Sequence, residues 1–504
     1  MVLGFWAENG KLSSDIHVLN ALLFPFVARV SGMAELKHGG MFRISWLFNQ
    51  EAVVVASPSA IAEILVSKSY RFEKPGFVRR YLAILLGWSL LTAEGDDHVR
   101  QRRNMLPAFS FRHIKSLYPV FWAKSREVVL AMRAACDDER GRGGPAEMDV
   151  FRWASRCTLD IIGLAAAGVE VGAISDDENP LAKSYKLQPS SADFAVMALL
   201  AFFPDWVVIR LPLSRVRSAA RASVEINQVC RNMIREEKKK KKKKEQISKQ
   251  EEGDDGRERN RPRMNILEVA LASGLFSDEQ LADQMMSFLS AGHDTTAAAL
   301  AWTMYMLARK PHAQARLRAE VREQVPSITG EITSAQVDGM AYLKAVCSET
   351  LRTHSPVAQT IRVANSDTTI QGQLVPRGSL LFILPWMTNV DPQLWGADAA
   401  EWKPERWLRP DQGGTGSSKA AHAASGGAAN NYAFMTFLHG PRSCLGAALA
   451  RAELACLVAA WVGSFSFELA DDSMMDEGNV KATPSVVAKP WGGLRMKVRV
   501  VDGW

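Results

Sequence analysis

A mainly α-helical protein with a smaller β part, built as a single large domain, is what this sequence predicts, and three observations carry that reading. From about Ile114 onward the apolar residues fall mainly at helical spacing. The β-like runs are short and sit in the first hundred residues and in one later segment. Two low-complexity stretches have no matched domain on each side, so they read as loops hung on one fold rather than linkers between two.

Taken in chain order, the apolar run Ile16–Val30 is interrupted by His17, Asn20 and Pro25, and it falls short of the roughly 20 residues a spanning helix needs. It also lacks the basic start and cleavage site of a signal peptide. Residues 1–35 therefore read as an apolar or interfacial segment with no clear transmembrane helix, and 36–504 as the folded domain. Phe42–Ser57 has β character, while Pro58–Lys68 has a helical start, with proline at its first position. The stretch Phe194–Leu213 is apolar but broken by Pro204, Asp205 and Arg210. Its aromatics beside charges suit either a segment lying in a lipid headgroup layer or two core helix ends and their loop. Residues 236–263 are charged, repetitive and nearly free of apolar side chains, which predicts a disordered loop. Thr368–Trp386 returns to β character, with a turn at Pro376, Arg377 and Gly378. The Gly/Ala/Ser-rich residues 411–431 are the second expected disordered loop.

Composition excludes some functions. The chain has 504 residues, 47% of them hydrophobic, enough for a large core. Its 61 basic and 54 acidic residues give a net charge of +7, and the seven lysines of Lys238–Lys244 account for all of that excess. The remaining surface is near neutral, which argues against a nucleic-acid partner. The six cysteines, Cys136, Cys157, Cys230, Cys347, Cys444 and Cys456, form no C-x-x-C pair, so reduced thiols facing the cytosol are expected.

The chemistry concentrates in FLHGPRSCLG, Phe437 to Gly446, which leads into an alanine-rich helical pattern. A cysteine at the first turn of a helix would meet unpaired N–H groups and the positive end of the helix dipole, both favouring thiolate. Gly440 permits positive φ, and Gly446 lets a flat, bulky group approach the backbone. Arg442 carries a permanent charge suited to a carboxylate on that group, and Phe437 would screen the sulfur from water. One cysteine cannot build a zinc or iron–sulfur site, yet one thiolate suffices as the axial ligand of haem. Taken alone, the stretch also fits a buried structural cysteine.

At each fixed position this stretch resembles the F-x-x-G-x-R-x-C-x-G signature of the cytochrome P450 haem-thiolate monooxygenases, eukaryotic or fungal type. Three further motifs follow the family's order. In AGHDTT, Ala291 to Thr296, a glycine and two threonines loosen a helix, and the resemblance implies that Asp294 and Thr295 relay protons to bound dioxygen. SETLR places Glu349 and Arg352 three apart on one helical face. The resemblance implies that this pair is buried and joined by Arg406 of PERW, holding the loop before Cys444 rather than doing chemistry. In GDDHVRQRR the family's tryptophan position is His98, a departure, and its arginine is Arg102; Arg362 of QTIRVAN is a further expected propionate partner.

The resemblance thus implies the cytochrome P450 fold, with haem b (iron protoporphyrin IX) between the AGxDT helix and the helix after the cysteine, and Cys444 as its axial thiolate. Cofactor contacts fall to His98, Arg102, Arg362, Phe437, Gly440, Arg442, Cys444 and Gly446. The implied reaction inserts one oxygen atom from O2 into a small apolar organic substrate, in secondary metabolite biosynthesis. Without a G-x-G-x-x-G unit or flavin domain, electrons are expected from a separate NADPH-cytochrome P450 reductase, with cytochrome b5 as another donor. The expected location is the cytosolic side of the endoplasmic reticulum, with peripheral membrane contact. Two rival readings are an isomerase or dehydratase of the same family that needs no external electrons, and a non-catalytic thiolate-haem sensor. The pair Asp294 and Thr295 argues against both. Phe72, Phe77 and Trp88 are read as core more readily than as pocket lining.

Overall fold

The computed structural model describes residues 40–45, 51–140, 145–176, 178–187, 193–211, 214–250, 265–408, 425–483 and 485–504. The segment expected over 1–35 lies outside the described residues. So do 251–263 and 411–424 of the two expected loops.

The strands are β1 (Met41–Ser45), β2 (Glu51–Val55), β3 (Phe72–Glu73), β4 (Ala146–Asp149), β5 (Thr360–Ala364), β6 (Thr368–Ile370), β7 (Gln373–Val375), β8 (Leu380–Ile383), β9 (Phe465–Leu469) and β10 (Arg495–Val500). Five of them form the main sheet in the order β1-β2-β8-β5-β3. Valine-rich β2 pairs antiparallel with β1 in the register Met41↔Val55 and parallel with β8, burying Ala52, Val54 and Val55. Strand β5 runs antiparallel to β8 with Arg362 opposite Leu381, which fixes where that arginine leaves the sheet. Strands β4, β10 and β9 form a second sheet, and β6 with β7 a hairpin whose turn places Gln371 and Gly372 at positive φ.

Helices dominate the rest. Those that position the site are α1 (Gly76–Leu86), α2 (Gly95–Met105), α3 (Phe111–Arg140), α4 (Val150–Ala167), α5 (Pro180–Leu187), α6 (Ser214–Gln250), α7 (Asp278–Arg309), α8 (Ala341–Thr353) and α9 (Ala447–Ser464). Helix α7 starts at a capping box of Ser277 with Gln280 and buries residues all along its length. Its closest neighbour is α4, and Gly292 makes the approach possible, since a Cβ there would stand 2.7 Å from the Ile162 side chain. Helix α9 is long and apolar enough to cross a membrane, but 78% of it is buried in the fold, as expected of a central core helix.

Two expectations need correction. The lysine run is not a disordered loop: α6 continues through it to Gln250. Ile226, Cys230, Met233 and Ile234 bury one face of that helix, and straight-chain lysine and glutamate have good helix propensity. Glu236 pairs with Lys239, Glu237 with Lys240, and Lys238 with Asp278. Of the Gly/Ala/Ser-rich stretch, residues 425–431 are described and form turns, with the backbone of Gly426 against the Trp407 indole. Of residues 194–213, those described form two helices, Asp193–Phe202 and Asp205–Arg210, that break at Pro204 and leave Phe202, Phe203 and Trp206 exposed.

Candidate active site

A cavity of about 530 Å³ lies between α7 and the loop before α9, with walls from α1, α2, α5 and the segment 356–362. Its lining is mostly apolar, including Val78, Leu82 and Phe288, the character of a site for a small organic molecule. Phe72, Phe77 and Trp88 are not among its lining residues: Phe72 is sheet core and Trp88 is exposed beneath the Arg79 guanidinium.

Cys444 opens onto this cavity. It does not stand in the first helical turn as expected. Gly446 is the cap and Ala447 the first helical residue, so the sulfur precedes the helix. Its backbone N–H donates to the Phe437 carbonyl at 2.8 Å, closing the loop on itself. Burial raises the Cys444 thiol above its ordinary pKa, opposed by the Gly446 N–H and by the charges of Arg102 and Arg451. Gly440 adopts φ of +74°, and a Cβ there would lie 2.1 Å from the Leu65 carbonyl oxygen, so no other residue fits. Leu438 is also left-handed, at φ +55°, a strained conformation for a leucine that costs about 1 to 2 kcal/mol. Gly446 has more room, with Phe109 at 3.9 Å from a Cβ position. Phe437 lines the cavity and lies under the Arg451 guanidinium.

A cluster of cations gathers at one end. Arg362 is fully buried, donates to Thr360 Oγ1 at 2.6 Å and the Ile361 carbonyl at 2.9 Å, and is pulled down to about 10 by burial and by Arg442. Arg442 pairs with Glu94 and stacks over the Tyr70 ring, while its Nε and Nη1 are buried without hydrogen-bond partners among the described residues. Lys74, near Glu94, is pulled down to about 7 by burial and by Arg362. His98 is held down to about 3 by burial and by Arg442, and its Nδ1 lies 3.1 Å from the Tyr70 hydroxyl. It is thus neutral, and a donor toward an anion must be Nε2. Arg102 sits nearer the sulfur, donating to the Ser443 carbonyl at 2.8 Å and hydroxyl at 3.2 Å. Sequence reasoning missed Lys74, Glu94 and Tyr70, since no motif joins them to Arg442.

The unpartnered N–H groups of Arg442 beside Lys74 and Arg362 suit a ligand with carboxylates, and the open sulfur of Cys444 suits a metal. Haem has both, so the residues present fit it.

On the opposite wall, α7 carries Asp294 and Thr295. The Thr295 hydroxyl donates to the Ala291 carbonyl at 2.7 Å and that of Thr296 to Gly292 at 3.0 Å, the back-bonding expected of threonines in a helix. Thr158 of α4 donates to the His293 carbonyl at 3.0 Å. The two oxygens of Asp294 accept from Lys489, a partner the sequence did not suggest.

Behind the sulfur loop stands a polar network. Arg352 Nε and Nη2 donate to the two oxygens of Glu349 at 2.8 and 2.7 Å, and both residues are fully buried. Arg406 Nε, the Lys403 N–H and the Trp407 indole add donors at 2.9, 2.7 and 2.9 Å. Arg352 Nη1 reaches the Asn389 carbonyl at 2.7 Å. The Asn389 side chain then accepts from the Met435 N–H and donates to Thr436 Oγ1 and the Arg352 carbonyl. The network therefore runs directly into the residues that precede Phe437.

Fold and site together define a large, mainly helical oxidoreductase with a haem-thiolate centre. The cytochrome P450 profile matches residues 28–491, and the chain belongs to that family. Among its relatives, cytochrome P450 monooxygenase sphH of Aspergillus fumigatus is 40% identical over 93% of this chain and 82% of that protein. Cytochrome P450 monooxygenase ALT8 of Alternaria alternata is 38% identical, covering 92% and 84%, and FUM15 of Gibberella moniliformis is 37% identical, covering 90% and 80%. The chain is accordingly a monooxygenase of fungal type.

Proposed function

We propose that this monooxygenase binds haem b through Cys444 and inserts one atom of O2 into a small apolar substrate in secondary metabolite biosynthesis. Electrons come from NADPH through a separate cytochrome P450 reductase, with cytochrome b5 as another donor. The observation that carries the reading is the open sulfur of Cys444, flanked by buried cations and facing the Asp294 wall across an apolar cavity.

Bound haem supplies the activation of dioxygen and its transfer to a C–H or C=C bond. The chain's own residues do the rest. Arg442, Arg362, Arg102 and Lys74 offset the two propionates, with His98 as a neutral donor beside them. Apolar side chains such as Val78, Leu82 and Phe288 orient the substrate and exclude water. Asp294 and the Thr295 hydroxyl hold a proton at the cavity wall and pass it inward. Glu349, Arg352 and Arg406 do no chemistry and fix the sulfur loop. The exposed Phe202, Phe203 and Trp206 give a surface for peripheral contact with the endoplasmic reticulum membrane from the cytosolic side.

Replacing Cys444 with serine tests the axial assignment. The variant is expected to lose the thiolate-type spectrum of the reduced, carbon monoxide-bound protein and to stop turning over. A variant with the parental Soret band and parental turnover overturns it. Spectral shifts on adding terpenoids, polyketides and fatty acids identify the substrate class.

A further inference from the structure

Asp294 is tied by a residue 195 positions away. Lys489 Nζ donates to its two carboxylate oxygens at 2.9 and 3.0 Å. The Thr295 hydroxyl, the other half of the proton-handling pair, is turned to the Ala291 carbonyl instead. Lysine 489 itself is well placed to hold its partner still. It ends a tight loop in which the Thr483 N–H donates to the Lys489 carbonyl at 2.6 Å, while the Lys489 N–H is shared between Thr483 Oγ1 and the Val487 carbonyl. The loop is pinned from outside, by the Trp302 indole on the Ala488 carbonyl at 2.9 Å and by the Ala488 N–H on the Pro356 carbonyl at 2.8 Å. Ser485, Val486 and Val487 of this loop line the cavity, as do Lys489 and Asp294.

The side chains of this ion pair are 19% and 22% exposed, so solvent screens part of its attraction. Its stronger effect is geometric. A lone carboxylate at a cavity wall has several staggered rotamers open to it, and a proton moves usefully only across hydrogen-bond distance. We propose that Lys489 is a positioning residue for Asp294: it fixes the carboxylate on the cavity wall and so governs when a proton reaches reduced oxygen. This rests on the proton-relay reading of Asp294 given above. With timely proton delivery, substrate R–H, O2, NADPH and H+ become R–OH, H2O and NADP+. When delivery fails, the same two electrons leave as peroxide, O2, NADPH and H+ giving H2O2 and NADP+.

The test uses the haem-loaded protein with its reductase, with and without dodecanoic acid as an oxidisable apolar probe. Peroxide formed per NADPH consumed and the solvent deuterium isotope effect on NADPH consumption are measured for the parent, Lys489→Met, Lys489→Gln, Lys489→Arg and Asp294→Asn. Lys489→Met and Lys489→Gln are expected to raise the peroxide share about threefold and to enlarge the isotope effect, with Lys489→Arg close to the parent. Amide exchange over residues 485–489 of the resting protein should quicken in the two neutral variants. The inference is overturned if Asp294→Asn raises the peroxide share while the neutral Lys489 variants stay at the parent level. It is overturned equally if Lys489→Arg matches Lys489→Met, which would mean lost packing rather than lost charge. An unchanged Asp294→Asn instead removes the relay reading itself, and this inference with it.

Discussion

Glu349→Gln is the sharpest single change available behind the sulfur loop. In the parent, five donors converge on the two Glu349 oxygens: two N–H groups of Arg352, Arg406 Nε, the Lys403 backbone N–H and the Trp407 indole. Glutamine keeps the shape, removes the charge and turns an NH2 toward N–H groups that need an acceptor. Arg352, with no solvent exposure, then keeps a buried charge without a counter-ion. Removing one partner of such a pair costs roughly 3 to 5 kcal/mol. At about 2.1 cal/mol/K per residue, a chain of 504 residues unfolds with an entropy of about 1.1 kcal/mol/K. The loss should therefore appear as a fall of about 3 to 5 °C in the melting temperature of the loaded protein, read by calorimetry. The double variant Glu349→Gln with Arg352→Met should recover part of that fall, because the uncompensated charge goes with it. A fall under about 1 °C in the single variant, or no recovery in the double one, would refute the account.

Gly440→Ala should cost more than about 2 kcal/mol of stability, through positive φ and the Leu65 carbonyl, whereas Gly76→Ala, with nothing within 4 Å, should be neutral or slightly stabilising by thermal melt. Arg442→Gln should release haem to an acceptor globin about tenfold faster than the parent, and an unchanged rate would remove Arg442 from the cofactor contacts. Glu453 is fully buried on α9 without a hydrogen-bond partner among the described residues, and burial raises its carboxyl well above the usual range. An acid whose folded pKa is raised contributes stability below its unfolded pKa that is lost as pH rises through the folded value. Glu453→Gln should therefore gain melting temperature over the parent between pH 5 and pH 8, and a constant difference would contradict this.

What could be read in the sequence was contiguous. Gly440, Arg442 and Cys444 fall in ten residues, Glu349 and Arg352 in four, and a local pattern suffices to find them. Asp294 was equally legible, but Lys489 was not, because their bond closes across nearly two hundred residues. Lys74 and Glu94 stayed hidden for the same reason: each is an ordinary surface-type residue until the fold buries it beside Arg442. At Cys444 the local pattern shows the nearby helix end alone; the enclosure that raises the thiol, and the Arg102 and Arg451 charges that oppose it, come together only in the fold. The lysine run was misread because composition describes the run alone, while the helix through it begins on buried neighbours upstream.

Asn389 bonds at once to the end of α8, 37 residues before it, and to Met435 and Thr436, 46 and 47 residues after it. The sulfur loop therefore takes its final shape only after three distant pieces of chain have met. Cofactor capture should accordingly be a late event in biogenesis, and the coloured protein a certificate that its C-terminal half has been assembled correctly.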